Sequence, residues 1–100
     1  MLVIKDTVKQ FRNGQKTVGI NAVKITETNH EFVKGILLRA AGDNDPTPNT
    51  NVIWIGGPYV TSSDGMPLAP GETMTLPLET AENLYAISTA ASQNLAWWGA

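Results

Sequence analysis

The chain has 100 residues, which predicts one domain with a single hydrophobic core. Charged residues make up only 16% of it, below the roughly 25% usual for soluble domains, and the net charge is −2 with scattered Lys and Arg, so nucleic acid is not expected as the main partner. Cysteine is absent, which excludes disulfides and thiolate metal sites.

No stretch of the sequence predicts export or insertion into a membrane. The first residues, M-L-V-I-K-D-T, lack the basic region and the long apolar core of a secretory signal. No apolar run approaches the ~18 residues that a membrane-spanning helix needs. We therefore expect a soluble protein that is not addressed for export and has no membrane among its partners.

The N-terminal part predicts a β-hairpin. Apolar and polar residues alternate over residues 2–11, with Leu2 and Ile4 on one face of the predicted strand. Asn13-Gly14 follows, and this dipeptide favours a two-residue hairpin turn because both positions tolerate a positive φ. A return strand is predicted over residues 16–27.

The return strand contains a change of phase. Val18 and Ile20 are expected to share a face, whereas Val23 and Ile25 fall on the opposite parity, which predicts a bulge or a break near residues 21–22. The next strand is predicted over residues 31–39. Its inward side chains are expected to be Phe32, Ile36 and Leu38, with Lys34 outward.

The central part alternates between a long loop, strands and tight turns. Residues 41–51 concentrate turn-forming residues and predict a loop. Residues 51–55 are apolar on both faces, as expected for a central strand. Two turns are predicted at Asp64-Gly65 and Pro70-Gly71, and the second fits a type II turn.

The C-terminal part completes the expected sheet structure. Residues 73–78 predict a strand in which Met74, Leu76 and Leu78 share one face. It is expected to be an edge strand, because Pro77 cannot donate a ladder hydrogen bond. Two more strands are predicted over residues 84–88 and 95–98. With no helical periodicity and no linker, the chain predicts an all-β fold: one compact β-sandwich or jelly-roll-like domain over residues 1–100, with seven or eight antiparallel strands.

The residues that could do chemistry are few. They are His30, the only histidine; the group Asp43, Asn44 and Asp45; and the group Ser62, Ser63 and Asp64. The histidine has no nucleophile or carboxylate at a recognisable spacing, the first group is half of a calcium loop, and the second lacks the G-x-S-x-G elbow of hydrolases. The glycines match neither nucleotide-binding spacing. We expect no enzyme, no metal and no cofactor.

The aromatic residues are more informative. Trp97 and Trp98 are adjacent, so on a strand they must point to opposite faces. One is expected to fill the core. The other is covered by neighbouring segments of the same chain, buried against a protein partner, or stacked on a sugar; tryptophan is enriched at interface hot spots.

A series of short motifs carries a family resemblance. The chain reads G-I-L-L-R-A, N-V-I-W-I-G, V-T-S-S-D-G-M-P-L-A-P-G-E-T and L-Y-A-I-S-T-A-A-S-Q-N-L-A-W-W-G in that order. Residues 33–100, about two-thirds of the chain, thereby resemble a module of small virion proteins of tailed bacteriophages. The motifs are mostly turns and apolar alternation, and residues 1–30 do not contribute to the resemblance.

The resemblance implies a decoration or cement protein on the surface of the phage capsid, made in the host cytoplasm. Such a protein binds the major capsid protein and copies of itself, often as a trimer over a symmetry axis. Residues 1–12 would form an N-terminal arm or strand that contacts a partner subunit. The candidate interface residues are Leu2, Ile4, Tyr59, Trp97 and Trp98.

Two other functions remain open from the sequence. The module also occurs in tail-associated and fibre-like proteins, where Trp98 or Tyr59 could bind a glycan of the host surface. A small hydrolase is the third possibility, and it would need a nucleophile and base that the chain does not show.

Overall fold

A computed structural model describes residues 11–26 and 31–100. These ranges contain eight β-strands and no helix. The strands are β1 (Arg12–Val18), β2 (Val23–Lys24), β3 (Ile36–Ala40), β4 (Ile53–Gly56), β5 (Met66–Leu68), β6 (Thr73–Leu76), β7 (Tyr85–Ser88) and β8 (Gln93–Gly99).

The strands form two antiparallel four-stranded sheets. Sheet A has the order β1-β8-β3-β6 and sheet B the order β2-β7-β4-β5. Thus β1 pairs with β8, β2 with β7, β3 with β6, and β4 with β5, as if one long hairpin of eight strands had been rolled up. This is the strand order of a jelly roll. The predicted fold class is confirmed.

The connections between strands gather at two ends of the sandwich. Residues 19–22, 41–52, 69–72 and 89–92 meet at one of them, which we call the loop end. Backbone hydrogen bonds join these connections: Ser88 N–H donates to the carbonyl of Gly19 at 2.8 Å, and Gly71 N–H to that of Ala40 at 2.9 Å. The remaining connections and the C-terminus lie at the opposite end.

Alternation in the strands places the core between the sheets. In β3, β4 and β8 every second side chain is buried, as the pleat requires. The fully buried large side chains are Val18, Ile25, Thr26, Ile36, Leu38, Ile53, Leu68 and Leu95. Phe32 closes the core at the opposite end, with its ring centroid 6.3 Å from that of Trp97. The predicted inward positions Phe32, Ile36 and Leu38 are confirmed, and Lys34 is exposed as expected.

The hairpin predicted at Asn13-Gly14 is wrong. Both residues lie inside β1, opposite Trp98 and Trp97 of β8. Glycine serves close packing here rather than a turn: a Cβ on Gly14 would lie 2.7 Å from the Trp97 indole nitrogen. The long-range pairing with β8 therefore replaces the local turn that the dipeptide favours.

The predicted return strand is interrupted, as its change of phase indicated. The chain leaves sheet A after Val18 and enters sheet B at Val23. One consequence differs from the prediction: Ile20 does not share the buried face of Val18 but lies in the connection and is exposed. A change of sheet explains the parity shift better than a bulge within one strand.

The strand predicted over residues 31–39 begins only at Ile36, because Gly35 has φ +106° and interrupts the extended backbone. The predictions for the long loop, the central strand, the edge strand and the turn at Pro70-Gly71 are confirmed. Residues 41–51 are a loop, β4 is a central strand of sheet B, and β6 is an edge strand that ends just before Pro77. In the turn at Pro70-Gly71, Gly71 has φ +85° and Glu72 N–H donates to the carbonyl of Ala69 at 2.9 Å, as in a type II turn.

Some predictions lie outside the described residues. These are residues 2–10 of the strand predicted over residues 2–11, residues 1–10 of the predicted N-terminal arm, the candidate interface residues Leu2 and Ile4, and the lone His30.

Candidate interaction surface

The paired tryptophans point to opposite faces of sheet A, as predicted. Trp97 packs in the core and is 7% exposed, whereas Trp98 lies on the outer face and is 54% exposed. The sequence left open which of the two is buried. In the structure, Trp97 lies in the core, where its side chain packs over Gly14, and Trp98 is the exposed member of the pair.

Trp98 is part of an apolar patch on the outer face of sheet A. Its ring meets that of Phe11 edge to face, with centroids 5.5 Å apart at 66°. Leu37 is its neighbour on β3, and Leu37 in turn pairs with Thr75 on β6. These four residues, the Trp98 patch, line a shallow hollow of about 190 Å³ together with the backbone at Gly35 and the C-terminal residue.

Phe11 and Leu37 belong to this surface although the sequence did not single them out. Phe11 is 59% exposed despite its contact with Trp98. Parity within β3 identifies Leu37 as outward, because Ile36 and Leu38 on either side are buried. That signal was present in the sequence, but only the pairing of β3 with β8 brings Leu37 next to Trp98.

Tyr59 lies in the connection between β4 and β5 and lines a different hollow from that of the Trp98 patch. It is 92% exposed at the tip of a turn closed by Val60 N–H, which donates to the carbonyl of Gly57 at 3.0 Å. The structure therefore does not unite Tyr59 and Trp98 into one site. They are two separate exposed aromatic residues, Trp98 on a strand of sheet A and Tyr59 in a connection between two strands of sheet B.

The outer face of sheet B is also apolar. Trp54 of β4 lies between Ile87 of β7 and Pro67 of β5, and Tyr85 continues this face on β7. Trp54, Ile87 and Tyr85 are partly buried, while Pro67 is exposed. The sequence predicted that β4 is apolar on both faces, and the structure shows that one of them faces outward.

An open groove runs along one side of the sandwich, where the edge strands β5 and β6 leave the sheets apart. This edge groove has a volume of about 730 Å³. Its lining is mainly apolar and includes Ile55, Met66, Met74, Leu76, Leu78 and Glu79. Met66 is 59% exposed at its rim. The alternation in β6 predicted inward side chains at 74, 76 and 78, but not that the sandwich stays open beside them.

The loop end, by contrast, is held by polar side chains. The Asn49 amide pairs with the backbone of Asn94 in both directions: Nδ2 donates to the carbonyl at 2.9 Å, and Oδ1 accepts the N–H at 2.6 Å. The Gln93 Oε1 accepts the N–H groups of Thr50 and Asn51 at 2.9 and 3.0 Å. Asn49 and Gln93 are both buried, so the long loop docks on β8 through satisfied amides.

The acidic groups singled out in the sequence take structural roles. Asp45 accepts hydrogen bonds from Arg39 Nη1 and, at 2.6 Å, from Gly42 N–H. The bond from the Arg39 guanidinium, followed by the Gly42 bond, lowers the pKa of Asp45 below its ordinary value. Asp64 Oδ1 accepts the backbone N–H of Thr61 at 2.7 Å, and this bond lowers the pKa of Asp64.

Because of these hydrogen bonds, Asp45 and Asp64 serve to hold their own turns. Asp64 also accepts the Thr61 hydroxyl at 3.0 Å, so it closes its own loop rather than orienting Ser62 or Ser63. Within residues 11–26 and 31–100, no group of three or more His, Cys, Asp or Glu side chains is placed to hold a metal ion. Nor does that part of the chain contain a helix long and apolar enough to cross a membrane.

Comparison of the chain with protein-family models, with curated proteins and with solved structures gives no match. Function therefore has to be inferred from the chain's own surfaces.

Proposed function

We propose that the chain is a structural protein of a phage virion, a decoration or cement protein on the outside of the head. In this role it binds the major capsid protein, associates with copies of itself, and holds neighbouring capsomers together. The observation that carries the proposal is the Trp98 patch, an exposed apolar surface on the outer face of sheet A. The resemblance of residues 33–100 to small virion proteins supplies the partner.

The patch has the character of a protein interface. Trp98 projects from a central strand, so its backbone is fixed on both sides by β1 and β3. A rigid tryptophan flanked by Phe11 and Leu37 offers contact area with little loss of conformational entropy on binding. Flat apolar surfaces of this kind suit a protein partner better than a small ligand, which requires a deeper cavity.

The fold supports the proposal without deciding it. Jelly rolls build viral capsid domains, but they also build lectins and cupins. A decoration protein needs no reactive group; it needs a stable shape repeated over a lattice, where many modest contacts together resist internal pressure. The turns and amide contacts of the loop end provide that rigidity.

Binding to undecorated heads tests the proposal directly. Purified protein is added to heads that lack the decoration protein, and binding and the temperature of head rupture are measured. We expect binding and a higher rupture temperature with the wild-type chain, and a weaker effect with Trp98→Ala. Gln15→Ala is the matched control, since Gln15 is an exposed polar residue on the same face. Absence of binding and of any shift would refute the proposal.

A tail- or fibre-associated module that binds a host-surface glycan is the second candidate. Its support is Tyr59, whose ring is almost fully exposed at the tip of a turn and could stack on a sugar. Calorimetric titration of the wild-type chain with host polysaccharides should then show binding, and Tyr59→Ala should bind less tightly. Light scattering after size exclusion separates the candidates further, because the decoration protein is expected to be an oligomer.

A further inference from the structure

The edge groove has the lining of a site for an extended peptide. Met74 and Leu76 face it from β6, with Met66 and Ile55 contributed by sheet B. Among the described residues, Glu79 is the one charged side chain in its lining. A mainly apolar floor favours an occupant that carries apolar side chains on one face.

The backbone of β6 offers hydrogen bonds to the same occupant. β6 pairs with β3 on one side, and no strand of the described chain pairs with its other side. A free sheet edge beside an apolar groove is the arrangement into which an added strand fits: the main chain extends the sheet while alternate side chains enter the groove.

Residues 2–5 of this chain have the matching pattern. Leu2 and Ile4 share one parity, and Val3 and Lys5 the other. If Val3 lies opposite Thr75 in an antiparallel pair, Leu2 and Ile4 lie opposite Leu76 and Met74, so all inward positions are apolar. Lys5 then lies opposite Thr73 on the outer face, in contact with solvent rather than with the groove.

The length of the chain favours a segment from another copy. A strand added beyond β6 lies four strand spacings from β1, at whose start the described chain begins, a distance of about 19 Å. The six steps from residue 5 to residue 11 span at most roughly 21 Å when fully extended. That length would nearly all be used in crossing sheet A, which leaves too little for the chain to turn into line with β6 of the same copy.

We propose that residues 2–5 of one copy bind as an added strand along β6 of a second copy, with Leu2 and Ile4 in the edge groove. The proposal rests on the proposed function in that it supplies the contact between copies of the decoration protein. Because each copy gives a segment and receives one at a different surface, the contact is heterologous and can close into a ring such as a trimer.

Cysteine cross-linking tests this contact without any capsid. The chain has no native cysteine, so Val3→Cys and Thr75→Cys can be introduced in separate full-length chains of different mass. Paired positions on adjacent strands lie close enough for a disulfide. After mixing and mild oxidation, we expect a disulfide-linked dimer with one chain of each kind. The same mixture with Thr17→Cys, an exposed position on β1 at the far edge of sheet A, should give only background.

The alternatives give distinct results. If the segment binds its own copy, the Val3→Cys/Thr75→Cys double variant forms an internal disulfide as a monomer and the mixed dimer is absent; this would overturn the proposal. The absence of both products would overturn it as well. As a readout that does not depend on cysteine, Ile4→Asp should lower the molecular mass found by light scattering while the thermal unfolding of the domain stays unchanged.

The two proposals can fail separately. If the chain cross-links between copies but does not bind heads, the proposed contact through residues 2–5 stands and the proposed decoration function is refuted. If the chain binds heads but forms no mixed dimer, the proposed decoration function stands and the proposed contact between copies is refuted.

Discussion

The loop end and the edge groove lie in the same small domain but differ in one respect. The polar groups of the loop end have partners within the chain, whereas the apolar side chains of the edge groove face open space. At the loop end, buried amides such as Asn49 and Gln93 find their partners within the chain. Along the edge groove, Met74 and Leu76 face an open space, and no strand of residues 11–26 and 31–100 pairs with the outer side of β6. The difference indicates that folding alone satisfies the groups of the loop end, whereas the edge groove is suited to a partner.

The largest expected effect is a difference in the free energy of unfolding between substitutions at two adjacent residues, Trp97 in the core and Trp98 on the outer face. Trp97→Ala should lower the free energy of unfolding by about 3–5 kcal/mol, because it leaves a cavity between the sheets. Trp98→Ala should cost less than about 1 kcal/mol in the monomer, because half of its side chain is already in water. Urea denaturation at low protein concentration measures both. An equal loss in the two variants would mean that Trp98 belongs to the core and that the Trp98 patch is not a free surface.

The next effect tests whether the loop end is fastened as its geometry indicates. Gln93→Leu removes the acceptor of the Thr50 and Asn51 N–H groups, and we expect a loss of about 2–3 kcal/mol, roughly 1–1.5 for each N–H group left without its partner. Thr89→Ala is the control: it removes only an exposed bond to Asn51 and should change stability by less than about 0.5 kcal/mol. If Gln93→Leu lowered the stability as little as Thr89→Ala, the long loop would be held by something other than these amides.

A smaller effect is expected where glycine allows close packing in sheet A. Gly14→Ala brings a methyl group against the Trp97 ring and should cost about 1–2 kcal/mol. Gly57→Ala, with no atom within 4 Å of the added carbon, should be close to neutral. In the Trp97→Leu background the cost of Gly14→Ala should shrink, since the clashing ring is gone. An undiminished cost in that background would assign the effect to backbone strain instead.

Gly14 also shows where sequence reasoning stops. Alternation, turn residues and the edge proline were local signals, and they predicted the all-β sandwich and most of its strands. The Asn-Gly dipeptide was an equally local signal, but its meaning was set by a residue more than eighty positions away, Trp97 on β8. Local propensity is overridden where a strand pairs with a distant partner, because packing against that partner decides the conformation.

The candidate surfaces show the same limit. Adjacency alone predicted that one tryptophan of the pair faces outward. The neighbours of Trp98, which make it a patch, depend on sheet order and register: Leu37 reaches it only because β3 pairs with β8. Likewise, the inward parity of Met74 and Leu76 was readable, but the groove beside them exists because β5 and β6 are edge strands of different sheets.

The smallest expected effect is electrostatic and concerns the ion pair of Arg39 and Asp45 at the loop end. Because the pKa of Asp45 is lower in the folded chain than its ordinary 3.8, its ionised form stabilises the fold. That contribution is present above the ordinary value and is lost as the pH falls through the lower, folded value. The midpoint of urea unfolding of the wild type should therefore exceed that of Asp45→Asn at about pH 6, and the difference should shrink below about pH 4. Added salt should reduce the difference at pH 6, since the pair is exposed to solvent. A difference that stays the same at both pH values would show that the Asn side chain is a poorer partner for Gly42 N–H. The charge on Asp45 would then contribute little to docking the loop.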